Sequence, residues 1–282
     1  MKKHVIITSS NKKYGNFLVI HWFRSLQENV NLKNIDVIVL DYGLTNDQKQ
    51  YLKKNGVVVL LCKKVGHVVV SRFIDSERVL TKSSYDQVLF CDGGDIIFQK
   101  DISPLFERNK DCFRAGILEE EVLFNEVFIP GNFSKEKSKE ISNYLKNKPI
   151  LNAGFILAPK QKFINICRLI DKLITNKNVY GPDQVALNYA IYKEGVKIFD
   201  RKFNFMPSTV KAGLFIKEGI IYQKNAGKIA IIHNAGHNGF MRPIWNFGYG
   251  KGFNRLNYPM YYGKRVCFKF LALVKKLFMR LQ

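Results

Sequence analysis

The sequence predicts an α/β protein built around a parallel, doubly wound sheet. Two observations carry that reading. Through the first hundred residues, short apolar runs of the kind that fill buried strands alternate with stretches whose apolar residues recur at helical spacing. One of those runs, Val88 to Cys91, ends in Asp92-Gly93-Gly94-Asp95. That puts two carboxylates at the carboxyl end of a strand, where ligands of such sheets bind.

Val5 to Thr8 is the first strand, and Tyr14 to Glu28 is a helix with Leu18, Trp22 and Leu26 along one face. Ile35 to Leu40 is the second strand, closed by Asp41 and the turn glycine Gly43. Thr45 and Gln48, three residues apart, make a capping box that opens a helix to Lys54, and Gly56 stops it. Val57 to Leu61 is the third strand, and Val70 to Thr81 is helical. Further on the pattern loosens. Ile150 to Leu157 is a strand interrupted by Asn152-Ala153-Gly154, and Lys160 to Thr175 is a helix. Pro182 to Tyr192 is a helix with proline in its first turn. Val196 to Phe199 and Ile229 to Ile232 are short strands, and residues 236–252, rich in glycine, aromatic and basic residues without a period, form a loop. No repeat or low-complexity linker divides the chain. The expectation is one catalytic-sized domain, residues 1–257, followed by a tail, residues 258–282.

Composition narrows the class. At 282 residues, 46% hydrophobic and 24% charged, the chain is globular rather than disordered. Its net charge is +22, and no acidic residue follows Glu218. Such a bias implies an anionic partner: a membrane surface, a nucleic acid or a phosphorylated substrate. The five cysteines, Cys62, Cys91, Cys112, Cys167 and Cys267, are scattered and contain no C-x-x-C pair. This argues against a disulfide framework or a cysteine zinc site and for a reducing compartment. The apolar stretch after Met1 ends at Ser9, too short for a secretory signal, so it reads as a strand. No apolar run reaches the ~18 residues of a membrane span. The expected location is cytoplasmic.

Several residues could carry chemistry, and each has a plainer explanation beside it. Asp92 and Asp95 could hold a hard divalent cation that carries a diphosphate, or could be two solvated turn residues. Thr8, Ser9 and Ser10, with Tyr14 beyond, could bond and stack on a nucleoside; capping of the next helix by Ser9 or Ser10 accounts for the same hydroxyls. His233, after an apolar strand, could complete a metal site or be a satisfied core histidine. Gly236 would let a phosphate approach the backbone, and Arg242 could offer it a fork of donors. Asn152 and Gly154 could face a sugar hydroxyl, although backbone groups would satisfy the amide equally. Asp183 and Gln184 open a helix, where the carboxylate could act in catalysis or merely complement the helix dipole.

Taken as an ordered set, these motifs resemble the nucleotide-sugar glycosyltransferases of the GT-A fold, in particular the retaining family-8 enzymes that include bacterial lipopolysaccharide hexosyltransferases. The resemblance runs from Val5 to Tyr14, through Ile35 to Asp41 and Val88 to Phe106, to Asn152-Ala153-Gly154, Asp183-Gln184 with Asn188, and His233 to Gly236 with Arg242 to Trp245. It implies a Rossmann-like mixed sheet flanked by helices. It further implies that Asp92, Asp95 and His233 bind Mn²⁺ (or Mg²⁺) and that Thr8, Ser9 and Tyr14 contact the nucleoside. Asn152 and Gly154 would line the sugar pocket, with Asp183 and Gln184 near the sugar as catalytic residues. Arg242 and Gly236 would meet the diphosphate, and Arg72 or Arg78 would add a donor contact. Three departures stand out. Two residues, Gly93 and Gly94, separate the aspartates where the family has one, and Asp95 aligns better than Asp92 with the residues downstream. Ser10 and Asn11 replace the acidic residue that accompanies uracil recognition, so UDP is not assured. The stretch from His233 to Arg242 is longer than the family's.

In the tail, helical spacing puts Cys267, Phe270, Leu273, Val274, Leu277 and Leu281 on one face, with Lys264, Arg265, Lys269, Lys275, Lys276 and Arg280 mainly on the other. This suits a helix lying on an anionic membrane, with Tyr258, Tyr261 and Tyr262 at the interface. Packing on the protein's own core is the alternative. The resulting expectation is a metal-dependent transferase moving a hexose from a nucleotide-diphosphate sugar, UDP-linked in the first instance, to a glycan or lipid-linked acceptor at the inner face of the cytoplasmic membrane. The rivals are a nucleotidyltransferase, for which Ser9 to Gly15 is a poor phosphate-gripping loop, and a nucleic-acid-binding protein. The second explains the charge but not the acidic and amide motifs, so no nucleic acid is expected as a partner.

Overall fold

In a computed structural model of the chain, residues 2–119, 129, 131–208, 213–235, 242–263 and 266 are described. The first strand, β1 (His4–Ser10), leads into a helical stretch made of α1 (Lys12–Phe17), a π-helical segment (Leu18–Phe23) and α2 (Arg24–Asn29). Next come β2 (Ile35–Asp41), α3 (Asn46–Lys54), β3 (Val58–Leu61), α4 (Val68–Thr81), β4 (Gln87–Cys91), β5 (Ile96–Phe98) and β6 (Phe113–Glu119). After α5 (Lys135–Leu145) the chain forms β7 (Ile150–Pro159), α6 (Lys160–Leu173), α7 (Pro182–Glu194) and β8 (Val196–Ile198). Short strands close the described chain: β9 (Leu214–Lys217), β10 (Ile220–Gln223), β11 (Gly227–Lys228), β12 (Ile231–His233), β13 (Ile244–Trp245) and β14 (Arg255–Leu256).

Seven strands form the main sheet in the order β3-β2-β1-β4-β7-β6-β8. The first four are parallel, as the alternating sequence predicts. β7 then runs antiparallel to both of its neighbours, so the sheet is mixed rather than wholly parallel. Burial follows the strand period of two. Val5, Ile7, Val88 and Phe90 enter one core with Phe73 and Phe163, while Ile6, Leu89 and Cys91 enter another with Trp22, Phe98 and Phe155. With both faces covered, β1 and β4 must be apolar at every central position, which is why they read as continuous runs.

The expected capping box is present: Gln48 N donates to Thr45 Oγ1, and Thr45 N to Gln48 Oε1. The first helix, however, is capped by Asn11 and not by Ser9 or Ser10; Asn11 Oδ1 accepts from the backbone of Lys13 and Tyr14. The Asn152-Ala153-Gly154 segment does not interrupt β7, which runs through it. Within 236–252, read as loop, residues 236–241 lie outside the described residues, while Ile244 and Trp245 pair with Leu256 and Arg255. Besides β9, β10, β11, β13 and β14, three elements before β7 went unforeseen. β6 follows a polar turn, α5 buries only Ile141 and Leu145 and so has almost no apolar period, and β5 is only three residues long.

That last strand matters most. β5 starts immediately after Asp95 and pairs antiparallel with β12, His233 opposite Ile96. Asn234 N also donates to Asp95 O over 2.8 Å. Through this small second sheet a residue more than a hundred positions downstream reaches the end of β4.

Candidate active site

β4 ends at Cys91, and the chain turns at once through Gly93 and Gly94. The turn is tight against β1 and the first helix. A Cβ on Gly93 would lie 2.7 Å from Thr8 Oγ1, and one on Gly94 would lie 2.9 Å from Tyr14 Cδ1. Glycine at both positions lets the two aspartates face the carboxyl ends of the strands together. From the neighbouring strand, Gly154 O accepts from Asp92 N over 2.9 Å. A Cβ on Gly154 would overlap Asp92 Oδ2 and come within 2.8 Å of His233 Cε1. Gly154 therefore makes the space in which the cluster stands.

The ligating atoms of Asp92, Asp95 and His233 all lie within 4.8 Å of one another. Their four carboxylate oxygens divide evenly. Asp92 Oδ2 and Asp95 Oδ1 face His233 Nε2 at 3.5 and 3.3 Å. Asp92 Oδ1 pairs closely with Arg72, and Asp95 Oδ2 pairs with Arg242 Nη2 at 3.1 Å. Arg72 also reaches Asp183 Oδ2 at 3.7 Å. An imidazole thus stands inside two carboxylates, with a guanidinium outside each.

This clustering sets the charge states. Burial would raise the carboxyl of Asp92, but Arg72 and His233 hold it well below the ordinary range. Burial opposes charge on His233, yet Asp95 and Asp92 outweigh it and raise the imidazole to about 9. Burial dominates at Asp183 and lifts it to about 6; Arg72 pulls the other way and Asp92 reinforces the rise. Asp95 Oδ1 is buried with no hydrogen-bond partner. Two carboxylates of such different standing, one ionised and one near neutrality, can serve different roles within one site.

Other expected residues surround the cluster. Thr8 is fully buried and forms part of the wall, Ser9 is half-buried, and Tyr14, 36% exposed, presents an open ring. Asn152 is committed internally: its Oδ1 accepts from Gly154 N at 2.8 Å, and its Nδ2 donates to Met206 Sδ at 3.3 Å. Gln184 lies next to Asp183, but its amide is turned toward β7, accepting from Ala153 N at 3.1 Å and donating to Leu151 O. Arg72, not Arg78, belongs to the cluster, since Arg78 is exposed and pairs with Asp75. Gly236 lies outside the described residues, as do residues 264, 265 and 267–282 of the tail. Within the tail's described part Tyr261 is buried beside Ile244, while Tyr258 and Tyr262 are exposed.

Two contributors were not foreseen. Tyr180 stands at the rim, 45% exposed, its ring edge-on to His67; partial burial and then Asp183 and Asp92 push its phenol up to about 12. An aromatic just before Gly181-Pro182-Asp183 was the available signal. Asn204, 3.1 Å from His233 Nδ1, comes from an irregular segment without periodicity. A hollow of about 430 Å³ opens at the opposite end of the sheet, by Phe23, Ile35 and Val57, and its lining contains no carboxylate or histidine. The cluster of Asp92, Asp95 and His233 stands at the carboxyl ends of the strands instead.

No protein-family model matches the sequence, and no curated protein matches it. Solved structures do match the fold. The galactosyltransferase LgtC, solved with donor and acceptor sugar analogues, superposes with a TM-score of 0.55 at 16% identity, covering 83% of this chain and 87% of that one. The bifunctional glycosyltransferase WbbM in its apo form gives 0.54 at 14% identity over 84% of this chain and 46% of its own. The glycosyltransferase GlyE of Streptococcus pneumoniae gives 0.53 at 15% identity over 94% and 60%. The chain thus spans less than two thirds of the last two. It has a GT-A-type, Rossmann-like fold in one domain, with a seven-stranded mixed sheet flanked by helices.

Proposed function

We propose that the protein is a metal-dependent glycosyltransferase. It transfers a hexose from a nucleotide-diphosphate sugar, UDP-linked in the first instance, to a glycan or lipid-linked acceptor such as lipopolysaccharide, with retention at the transferred carbon. The observation that carries this reading is the convergence of Asp92, Asp95 and His233 between Arg72 and Arg242 at the carboxyl ends of the strands. Two carboxylates and an imidazole suit a divalent ion such as Mn²⁺ or Mg²⁺, and Asp95 Oδ1, buried against His233 Nε2 at 3.3 Å, and the room made by Gly154 fit one. Such an ion, when bound, neutralises charge on a leaving diphosphate.

The chain's own residues do the rest. Arg242 offers a planar fork of donors to a phosphate, and Arg72 bridges Asp92 and Asp183. Tyr14 offers an open ring for a base. Asp183 faces the sugar side, where its raised proton affinity suits exchange of a proton with a hydroxyl near neutral pH. Gln184 and Asn188, both bonded to Leu151 and its neighbours, keep the start of α7 in register with β7 and so aim Asp183. Membrane attachment is part of the proposal: among the described residues no helix is long and apolar enough to cross a bilayer. The basic tail with its exposed tyrosines supports contact with an anionic leaflet at the inner membrane face.

The direct test is release of free nucleotide from a panel of nucleotide sugars, with and without candidate glycan acceptors, in Mn²⁺ and in EDTA. The proposal expects release from at least one donor, faster with acceptor and suppressed by EDTA. Release unaffected by EDTA would remove the metal from the reaction, and none from any donor would remove the transfer.

A further inference from the structure

Polar side-chain atoms buried without a hydrogen-bond partner gather around the cluster, among them Asp95 Oδ1, Asn204 Nδ2 and Asn234 Oδ1. The other end of Asn204 is engaged, with its Oδ1 3.1 Å from His233 Nδ1. Asn204 is 3% exposed and His233 1%, so bulk water does not compete for that contact. A neutral imidazole carries one N–H and one lone pair, and the partner of one nitrogen decides what the other can offer. A carbonyl oxygen only accepts. With Asn204 Oδ1 against it, Nδ1 keeps its proton, so a cation that displaces the second proton finds the lone pair on Nε2, the atom 3.3 Å from Asp95 and 3.5 Å from Asp92.

We infer that Asn204 is a positioning residue that fixes the tautomer and ring orientation of His233, and through it the affinity of the Asp92–Asp95–His233 cluster for a divalent cation. The inference rests on the reading of those three residues as a cation site.

The backbone holds this pair in place. Asn204 follows a 3₁₀ turn, Arg201–Phe203, that Asp200 caps. The next residue then joins the small sheet: Phe205 N donates to Ile231 O at 3.0 Å, and His233 N donates to Phe205 O at 2.9 Å. Asn204 and His233 are therefore fixed relative to each other before their side chains meet. Gly116 on β6 makes room for the amide, since a Cβ there would come within 2.9 Å of Asn204 Nδ2. Two residues beyond Asn204, Met206 Sδ accepts from Asn152, which in turn holds Gly154 N. A single irregular segment thus backs both the imidazole and the glycine that makes space for it.

The test uses the full chain and the metal alone. Mn²⁺ is titrated against wild type, Asn204→Ala and Asn204→Asp, following the paramagnetic signal of the free ion. The alanine variant should bind about 10–100-fold more weakly, the usual cost of losing such a partner, whereas aspartate, which also accepts, should stay within about threefold of wild type. A second readout is the two-bond ¹H–¹⁵N correlation of His233 in the Mg²⁺-loaded protein, which should show the proton on Nδ1 in wild type and Asn204→Asp. Wild-type Mn²⁺ affinity in Asn204→Ala, or equal weakening in both variants, overturns the inference. A wild-type His233 protonated on Nε2 overturns it too, even if the alanine variant does not fold. If wild type itself binds no Mn²⁺, the cation site falls and this inference with it.

Discussion

Asp92 and Asp95 hang from β4, a strand buried at every position in the middle of a seven-stranded sheet. His233 and Arg242 come from the far part of the chain, where strands of two to four residues make small separate sheets. The acidic half of the site, with Arg72 from α4, is therefore carried by the main cores, and His233 and Arg242 by local contacts to β5 and to Phe205. Stability and ligand affinity should separate along that line. Changes on the β4 side act on a rigid frame, whereas changes beyond residue 200 should loosen the imidazole and guanidinium while the frame stays folded.

The largest expected effect is at the point where the halves meet. Asp95→Ala removes the carboxylate that faces both His233 and Arg242, and should lower transfer by about 10³-fold, comparable to losing one key electrostatic contact in other active sites. Its melting temperature should stay near that of wild type, since the cores are untouched. Asp92→Ala should be damaging to a lesser degree. Turnover assays with melting curves check both; an Asp95→Ala protein that turned over normally would detach the site from the chemistry.

Asp183→Asn probes the frame side, and should cut turnover by about 10²-fold while leaving nucleotide affinity nearly unchanged. Its effect on stability has the opposite sign. The folded-state value of Asp183, about 6, lies above the reference 3.8, so the native protein binds this proton more tightly than the unfolded chain. Ionised Asp183 therefore costs stability, fully above about pH 6 and not at all below about pH 4. A neutral amide at this position removes that cost, so Asp183→Asn should be the more stable protein at pH 7.5, by on the order of 2 kcal/mol, with the gap closing on acidification. Denaturant melts at several pH values decide it, and a variant less stable at pH 7.5 would mean that Arg72 needs the carboxylate.

Gly154→Ala sharpens the contrast further. Its Cβ would press on Asp92 and His233 together, so Mn²⁺ affinity should fall about tenfold or more, with only a modest loss of stability. Isothermal titration measures the first and thermal unfolding the second. Smallest is the effect of the tail on catalysis. Cutting after Gly263 spares Tyr261, which is buried in the third core, and should leave activity on a small soluble acceptor within about twofold. Sedimentation with anionic vesicles should fall sharply and, for the intact chain, weaken with salt. An intact chain that ignores such vesicles would assign the tail to the protein's own core.

The frame was legible in the sequence because its strands are buried on both faces. β1, β2 and β4 must be apolar through their centres, and glycines and capping residues punctuate the helices between them, as Thr45 and Gln48 do. Asp92 and Asp95 stood out for the same reason, being polar residues at the end of an apolar run. The basic half was harder to see. β5 and β12 are three residues each, below the length at which a period can be read, and their pairing spans more than 130 positions. His233 could be suspected from the strand before it, but nothing local tied it to Asp95. Asn204 had no signal of its own, because its role depends on Gly116 and on the Phe205 bridge to β12. The direction of β7 was also hidden, since an apolar run does not reveal which way it lies.

The central claim is that the two halves join to hold a cation that in turn holds a nucleotide sugar. It is tested most directly by thermal unfolding of the intact protein with UDP-glucose, UDP-galactose and other nucleotide sugars, each with Mn²⁺ and with EDTA. The account predicts that at least one donor raises the melting temperature in Mn²⁺ by several degrees and not in EDTA, and that Asp95→Ala abolishes the shift. Stabilisation by a donor that is equal in Mn²⁺ and EDTA, or that persists in Asp95→Ala, would contradict it.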